Sequence, residues 1–372
     1  MLHCSRSSLY LFHQRQRHRC SAVQSTSSKR EHPAGISGRF SREEYELLPH
    51  RMVLIRHGES MGNVNADTYS SLPDNGVPLT ERGHDEAKAA GRKLREKLMK
   101  LHEMDESEMK VFVMTSPYRR TMETTDGLIE AFEDDEVTGV RSAVQLREQD
   151  FGNFQSPSKI NADLEERQRF GRFWFRFPNG ESGSDVYDRM TIFTDHLVRD
   201  MGLGRFKDQT LILVTHGLTL RILLMRWFHW SVPQFLEVFN PKNCDPVIIE
   251  KLPWDKVEAM QSTTKRRYVH VKQVYAIDEE SAAKLKGVTP EMSRARESEL
   301  DAKESPKQRW IRMRAAMMKC GSECCEFDAS STSQEPGGQM ETKECAVEVS
   351  PALLTEDEPF WFRGRLRAVV DD

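Results

Sequence analysis

The chain has 372 residues and a formal net charge of -4, with 54 basic side chains against 58 acidic ones. That balance provides no global field for nucleic acid or an anionic membrane surface. No apolar run approaches the roughly 18–20 uninterrupted residues of a membrane span, so a soluble protein without a transmembrane segment is expected.

The N-terminal extension, residues 1–48, carries Arg6, Arg15, Arg17, Arg19, Lys29 and Arg30 with many serines, and no acid precedes Glu31. This composition fits an organelle transit peptide, with a mitochondrial address as the alternative, but Leu9-Tyr10-Leu11-Phe12 makes a poor amphipathic helix, which favours a merely disordered extension. Pro33 to Gly38 reads as linker, and a single catalytic-sized domain is expected over 49–278. Its first strand is Met52-Val53-Leu54-Ile55, followed by a polar loop from Asn63 to Pro78 with turn chemistry at Leu72-Pro73-Asp74-Asn75-Gly76. Thr80 is placed to cap a helix whose Ala87, Ala90, Leu94, Leu98 and Leu101 form an apolar stripe at three- and four-residue steps. Val111 to Met114 is a second buried strand, and a helix with Pro117 in its first turn is expected after it. Leu164 to Phe175 and Asp185 to Leu197 read as helices. The aromatic, cationic run Phe170 to Phe177 is expected to pack as a lid helix on the core, the alternative being contact with an apolar part of a ligand.

Leu211 to Val214 is a third buried strand leading into a helix over Leu218 to Trp230, and Val247 to Leu252 and Tyr268 to Ile277 read as late strands. Strands alternating with helices at these lengths predict an α/β protein: a three-layer α/β/α sandwich with a mostly parallel central sheet. Residues 279–372 are charged and rich in Ser and Thr without sustained periodicity, so a largely disordered tail is expected there. Its apolar stretch Pro359 to Arg365 is a candidate docking segment for a partner. Of seven cysteines only Cys244 falls inside the domain, whereas Cys4, Cys20, Cys320, Cys324, Cys325 and Cys345 lie in the flanks. That distribution argues against a disulfide framework and for a reducing compartment such as the cytoplasm. The cluster Cys320, Cys324, Cys325 lacks partners at zinc-site spacing and reads as free thiols.

Two of these strands end alike, in Arg56-His57-Gly58 and in Thr215-His216-Gly217. Open α/β sheets bind ligands at the carboxyl edge of their strands, so neighbouring strands would set both imidazoles against one ligand. Phosphoryl transfer suits such a set. A neutral imidazole can attack phosphorus, while cations neutralise the phosphoryl oxygens and an acid protonates the leaving oxygen. His57 can be the nucleophile, with Arg56 as a first clamp; these positive neighbours disfavour imidazolium and keep it neutral. The run Thr115 to Thr124 adds arginines, whose planar fork suits phosphate, and His216 can donate from the other side. Asn63 is the stronger candidate for a phosphate contact in the first loop, with Thr80 reading as a cap.

Four motifs occur in order: Arg56-His57-Gly58-Glu59-Ser60 with Asn63, Ser116-Pro-x-x-Arg120-x-x-x-Thr124, Leu146-Arg147-Glu148-x-x-x-Gly152, and Thr215-His216-Gly217. Together they resemble the histidine phosphatase superfamily, the phosphoglycerate mutase-like family, over roughly Met52 to Ile249. The segments Arg169 to Ser182, Asp185 to Arg189 and Met225 to Val232 are similar to its plant, fungal and protist branch. The resemblance implies that His57 is phosphorylated, that Arg56, Arg120 and His216 bind the phosphoryl group, and that Glu148 is the proton donor. The family's arginine precedes a small residue, which assigns the role to Arg120 and leaves Arg119 a solvated neighbour. Gly58, Asn63 and Gly217 complete the expected substrate-binding set, and Glu181-Ser182 is expected at the pocket mouth. No metal and no cofactor is implied, and the ligand expected is a phosphorylated small molecule or phosphoprotein. After Glu148 the chain departs from true mutases: Phe151-Gly152-Asn153-Phe154-Gln155-Ser156 lacks their carboxylate-binding segment. Hydrolysis of a phosphomonoester is therefore expected, the alternatives being mutase or bisphosphatase activity, or a catalytically silent scaffold.

Overall fold

The structure, a computed structural model, describes residues 40–105, 107–153, 157–263 and 269–295, with a few positions between 305 and 315. The expectations for residues 1–39 of the N-terminal extension, for most of the tail after residue 295, for the six flanking cysteines and for the Pro359 to Arg365 segment lie outside the described residues.

One six-stranded sheet organises the rest, in the order β3-β2-β4-β1-β5-β6. Its strands are β1 (Arg51–Arg56), β2 (Val111–Thr115), β3 (Val137–Ser142), β4 (Thr210–Thr215), β5 (Val247–Lys251) and β6 (Tyr275–Ile277). The first four in chain order run parallel, while β5 pairs antiparallel with β1 and β6 antiparallel with β5. Strands β1 and β4 are buried at every position, which is why they read as unbroken apolar runs rather than as alternating ones. Edge strand β3 is mostly exposed and has no such run, so the sequence reading passed over it.

Helices cover both faces. In chain order they are α1 (Arg42–Glu46), α2 (Met61–Val64), α3 (Thr68–Ser71), α4 (Glu81–Met104), α5 (Arg119–Ile129), α6 (Pro157–Phe170), α7 (Gly183–Gly202), α8 (Gly217–Phe228), α9 (Val232–Glu237), α10 (Trp254–Thr263) and α11 (Glu279–Lys284). On one face Leu94 and Leu98 of α4 and Leu128 of α5 pack against Val53, Ile55, Ile212 and Val214. On the other, Phe193 and Leu197 of α7 and Leu220 and Leu224 of α8 pack against Leu54, Leu211 and Leu213. The three layers are those predicted, with the sheet mixed at its β5–β6 end.

Several elements differ from the sequence reading. The one-turn helix α2 runs into the start of the Asn63 to Pro78 loop, which also holds the one-turn helix α3 and a 3-10 turn at Asp74–Gly76. Helix α5 starts two residues after Pro117, at Arg119. Among the described residues of the last predicted strand, only Tyr275–Ile277 pairs, and a 3-10 turn precedes it. Helix α6 stops at Phe170, where Gly171 takes φ +95°, a conformation open to glycine. The aromatic run that follows is therefore not a lid helix. Phe173, Phe175 and Phe177 are buried, while Phe170 and Trp174 are 64% and 50% exposed. The packed fold also reaches past 49–278: Phe40, Tyr45 and Leu48 at one end, and Leu285, Met292 and Ala295 at the other, join the main core. No described helix is long and apolar enough to cross a membrane.

Candidate active site

Parallel pairing sets Arg56 of β1 opposite Thr215 of β4, so the next residues, His57 and His216, stand abreast at the carboxyl edge. Their ring centroids are 5.2 Å apart in an edge-to-face arrangement. The His57 Nδ1 lies 2.7 Å from the Gly58 carbonyl oxygen. A carbonyl can only accept, so Nδ1 is the protonated nitrogen and Nε2 keeps its lone pair. His57 is buried, and its pKa is held well below the usual imidazole value, first by burial and then by Arg120 and Arg56. The burial and the two guanidinium groups thus favour the neutral imidazole. Arg56 is buried beside it and donates from Nη1 to the Pro241 carbonyl at 3.0 Å.

Two glycines bring this loop against α4: a Cβ on Gly58 would lie 2.5 Å from the Gly83 carbonyl oxygen, and one on Gly83 would lie 2.0 Å from that of Glu59. The Gly58 amide donates to Thr124 Oγ1 at 3.0 Å. Gly58 therefore serves packing, and its amide is engaged within the protein rather than offered to a substrate. Asn63 turns its Oδ1 to Ser60, accepting from the backbone amide at 3.0 Å and from Oγ at 3.1 Å in the capping box of α2. Thr80 caps α4 through the Gly83 amide, as expected. Gly217 opens α8, and a Cβ there would come within 2.7 Å of the Asn240 side chain.

Arg119 and Arg120 separate as the family pattern implied. The Arg119 side chain is 56% exposed and pairs with Glu123; that of Arg120 is 3% exposed and donates from Nη1 to the Asp74 carbonyl and carboxylate, each at 2.7 Å. The Tyr118 ring lies 5.0 Å from the Arg120 guanidinium carbon and 5.1 Å from the His216 ring. His216 is buried, with Nε2 2.8 Å from Ser116 Oγ and Nδ1 without a hydrogen-bond partner among the described residues. Its pKa too is held well below the ordinary value, by burial first and then by Arg120, His57, Arg189 and Arg56.

Glu148 meets the first turn of α8. Its Oε1 accepts from the Thr219 Oγ1 at 3.1 Å, from the Thr219 amide at 3.3 Å and from the Gln149 amide at 3.0 Å. Cys244, the one domain cysteine, is buried with its thiol pushed up to about 12 by burial, so it is unreactive. Among the described residues, no group of three or more His, Cys, Asp or Glu side chains could hold a metal ion.

The sequence model of the histidine phosphatase superfamily (branch 1) matches residues 52–255. The chain belongs to the histidine phosphatase superfamily. It is 41% identical over 213 residues to the phosphoglycerate mutase-like protein AT74H of Arabidopsis thaliana, covering 56% of this chain and 76% of that protein. The broad-range acid phosphatase DET1 of Saccharomyces cerevisiae is 29% identical over 301 residues, covering 58% of this chain and 89% of the relative. Among solved structures, the mycobacterial glucosyl-3-phosphoglycerate phosphatase complexed with VO3 aligns at 24% identity and a TM-score of 0.42, over 54% of this chain and 92% of that one.

In this member of the superfamily, Glu181 is engaged by two arginines. Its carboxylate accepts from Arg189 Nε and Nη2, each at 3.1 Å, and pairs with Arg147 at 2.5 Å. Arg189 in turn donates from Nη2 to the Glu148 carbonyl at 3.1 Å and from Nη1 to the Gln145 carbonyl. The strap carrying Glu148 is thus tied to α7 by charge-assisted bonds. Only the mutual contact reveals this; nothing in the spacing of Glu148, Glu181 and Arg189 announces it. If Glu148 is the proton donor that the resemblance implies, Glu181→Gln is expected to loosen it and so impair protonation of the leaving oxygen. An alkyl phosphate, whose leaving oxygen is strongly basic, should lose at least about tenfold more kcat than an aryl phosphate. Equal losses on both substrates would show that Glu181 only supports the fold.

Proposed function

We propose that this chain hydrolyses phosphomonoesters through a phosphohistidine formed on His57. What carries the reading is the convergence of four buried groups: a neutral His57 with Nε2 free to attack, His216 at 5.2 Å, and the guanidinium groups of Arg56 and Arg120. Nε2 of His57 attacks phosphorus in line with the departing oxygen, and the bond from phosphorus to that oxygen breaks as the new P–N bond forms. Glu148 supplies the leaving oxygen's proton and, as carboxylate, takes one from the water that then attacks the phosphohistidine. Arg56, Arg120 and His216 hold the transferring group, whose charge rests on its equatorial oxygens. The acid phosphatase among the relatives supports hydrolysis over transfer.

Brief incubation of the full chain with a radiolabelled alkyl phosphate should leave label on His57, stable in base and released in acid. Free phosphate should accumulate without any added bisphosphate. Turnover that requires a bisphosphate primer would instead assign a mutase, and turnover with no trapped intermediate would remove the covalent step.

A further inference from the structure

The loop between β1 and α4 brings two residues to the site that the reaction above leaves without a task, Tyr69 and Asp74. Tyr69, on α3, passes its hydroxyl so close to α2 that a Cβ on Gly62 would lie 2.3 Å from it. Gly62 is therefore the opening through which the ring reaches inward. Asp74 gives Oδ1 to Arg120 at 2.7 Å, and its other carboxylate oxygen, Oδ2, is buried without a hydrogen-bond partner among the described residues. Tyr118 stands on the other side, against His216 and Arg120.

Both phenols sense the same surroundings. That of Tyr69 is pushed up to about 12 by burial, then by Asp74, with Glu148 adding and Arg120 and Arg56 opposing. That of Tyr118 is raised by burial, then by Asp74, with Asp150 and Glu148 adding and Arg120 opposing. The phosphate clamp therefore borders the Asp74 carboxylate and the Tyr118 ring, with the Tyr69 phenol within electrostatic reach of Asp74 and Arg120. Neighbouring cations are committed elsewhere: Arg147 and Arg189 to Glu181, and Arg119 to Glu123. Such a region accepts hydrogen bonds from hydroxyl groups and repels a second anion, because like charges at a few ångströms in a partly desolvated site interact strongly.

We propose that the substrate is a phosphomonoester of an uncharged polyhydroxylated alcohol, and that Asp74, with Tyr69, discriminates against phosphorylated acids. The proposal rests on the hydrolytic reading above. Asp74 holds one edge of Arg120 and turns its second oxygen to the alcohol; Tyr69 adds a hydroxyl that can donate or accept.

Glycerol 3-phosphate and 3-phosphoglycerate differ only by a hydroxymethyl group against a carboxylate, so their kcat/KM ratio on the full chain isolates the effect. The wild type should prefer glycerol 3-phosphate at least about tenfold. Asp74→Asn, which keeps an acceptor for Arg120 and removes the charge, should shrink that ratio at least about fivefold. Tyr69→Phe should lower the ratio of glycerol 3-phosphate to p-nitrophenyl phosphate, and it remains informative if the Asp74 variant fails to fold. Equal turnover of the two three-carbon esters with intact hydrolysis of p-nitrophenyl phosphate overturns the specificity alone, as does a preference for phosphoethanolamine or a ratio that Asp74→Asn leaves unmoved. Failure to hydrolyse any of the four esters removes the hydrolytic reading, and this proposal with it.

Discussion

His57→Ala is expected to lower kcat by at least about 10⁴-fold on every phosphomonoester the wild type accepts, since loss of a nucleophile removes the pathway rather than one contact. His216, with Nε2 on Ser116 Oγ, is assigned in this mechanism to holding the phosphoryl group rather than to attack. The variant should still fold, because Arg56 and Thr215 hold the register of β1 on β4 independently of the ring. It should still bind inorganic phosphate through Arg56, Arg120 and His216, with affinity measured by calorimetry within about tenfold of wild type. A residual rate above about 1% of wild type would assign the attack to another group. Retention of a cellular role in this variant would restore the scaffold alternative.

The parts of the site that were legible in the sequence are those whose signal is local. Buried central strands write themselves as apolar runs, so His57 and His216 stand out where Met52 to Ile55 and Leu211 to Val214 stop. Arg120 could be separated from Arg119 only through the family pattern; the chain itself shows two adjacent arginines, and burial distinguishes them. The loop from Asn63 to Pro78 reads as polar turn sequence because its helices are each one turn long, too short for periodicity to register. Tyr69 is invisible for that reason, and Asp74 registers only as turn chemistry. Edge strand β3 and the true end of α6 share a cause: exposure erases alternation in the first, and the φ of one glycine decides the second. Glu181 shows a further limit, since its task depends on what Arg147 and Arg189 touch across about forty residues of chain.

Arg120→Gln separates the two tasks of the clamp, and pH is the variable that does so. Arg120 lies with its guanidinium buried against Asp74 and Tyr118 and lowers the pKa of both His57 and His216. In the proposed mechanism its first task is to neutralise the phosphoryl oxygens, and loss of one such arginine costs on the order of 10³-fold in kcat/KM. The second concerns protonation. A histidine whose pKa is lowered in the folded protein stays neutral as pH falls through the ordinary value near 6.5 and gains its proton only lower down. The acid limb that His57 contributes to kcat/KM therefore lies well below pH 6.5 in the wild type. Removing Arg120 withdraws one source of that displacement but leaves burial and Arg56, so the limb should move upward while remaining below 6.5. Substrate ionisation also shapes the profile near pH 6, but it is common to both proteins, so the separation between the two acid limbs belongs to the enzyme. Profiles that superimpose after scaling would mean that Arg120 only binds phosphate, and that burial with Arg56 keeps His57 neutral.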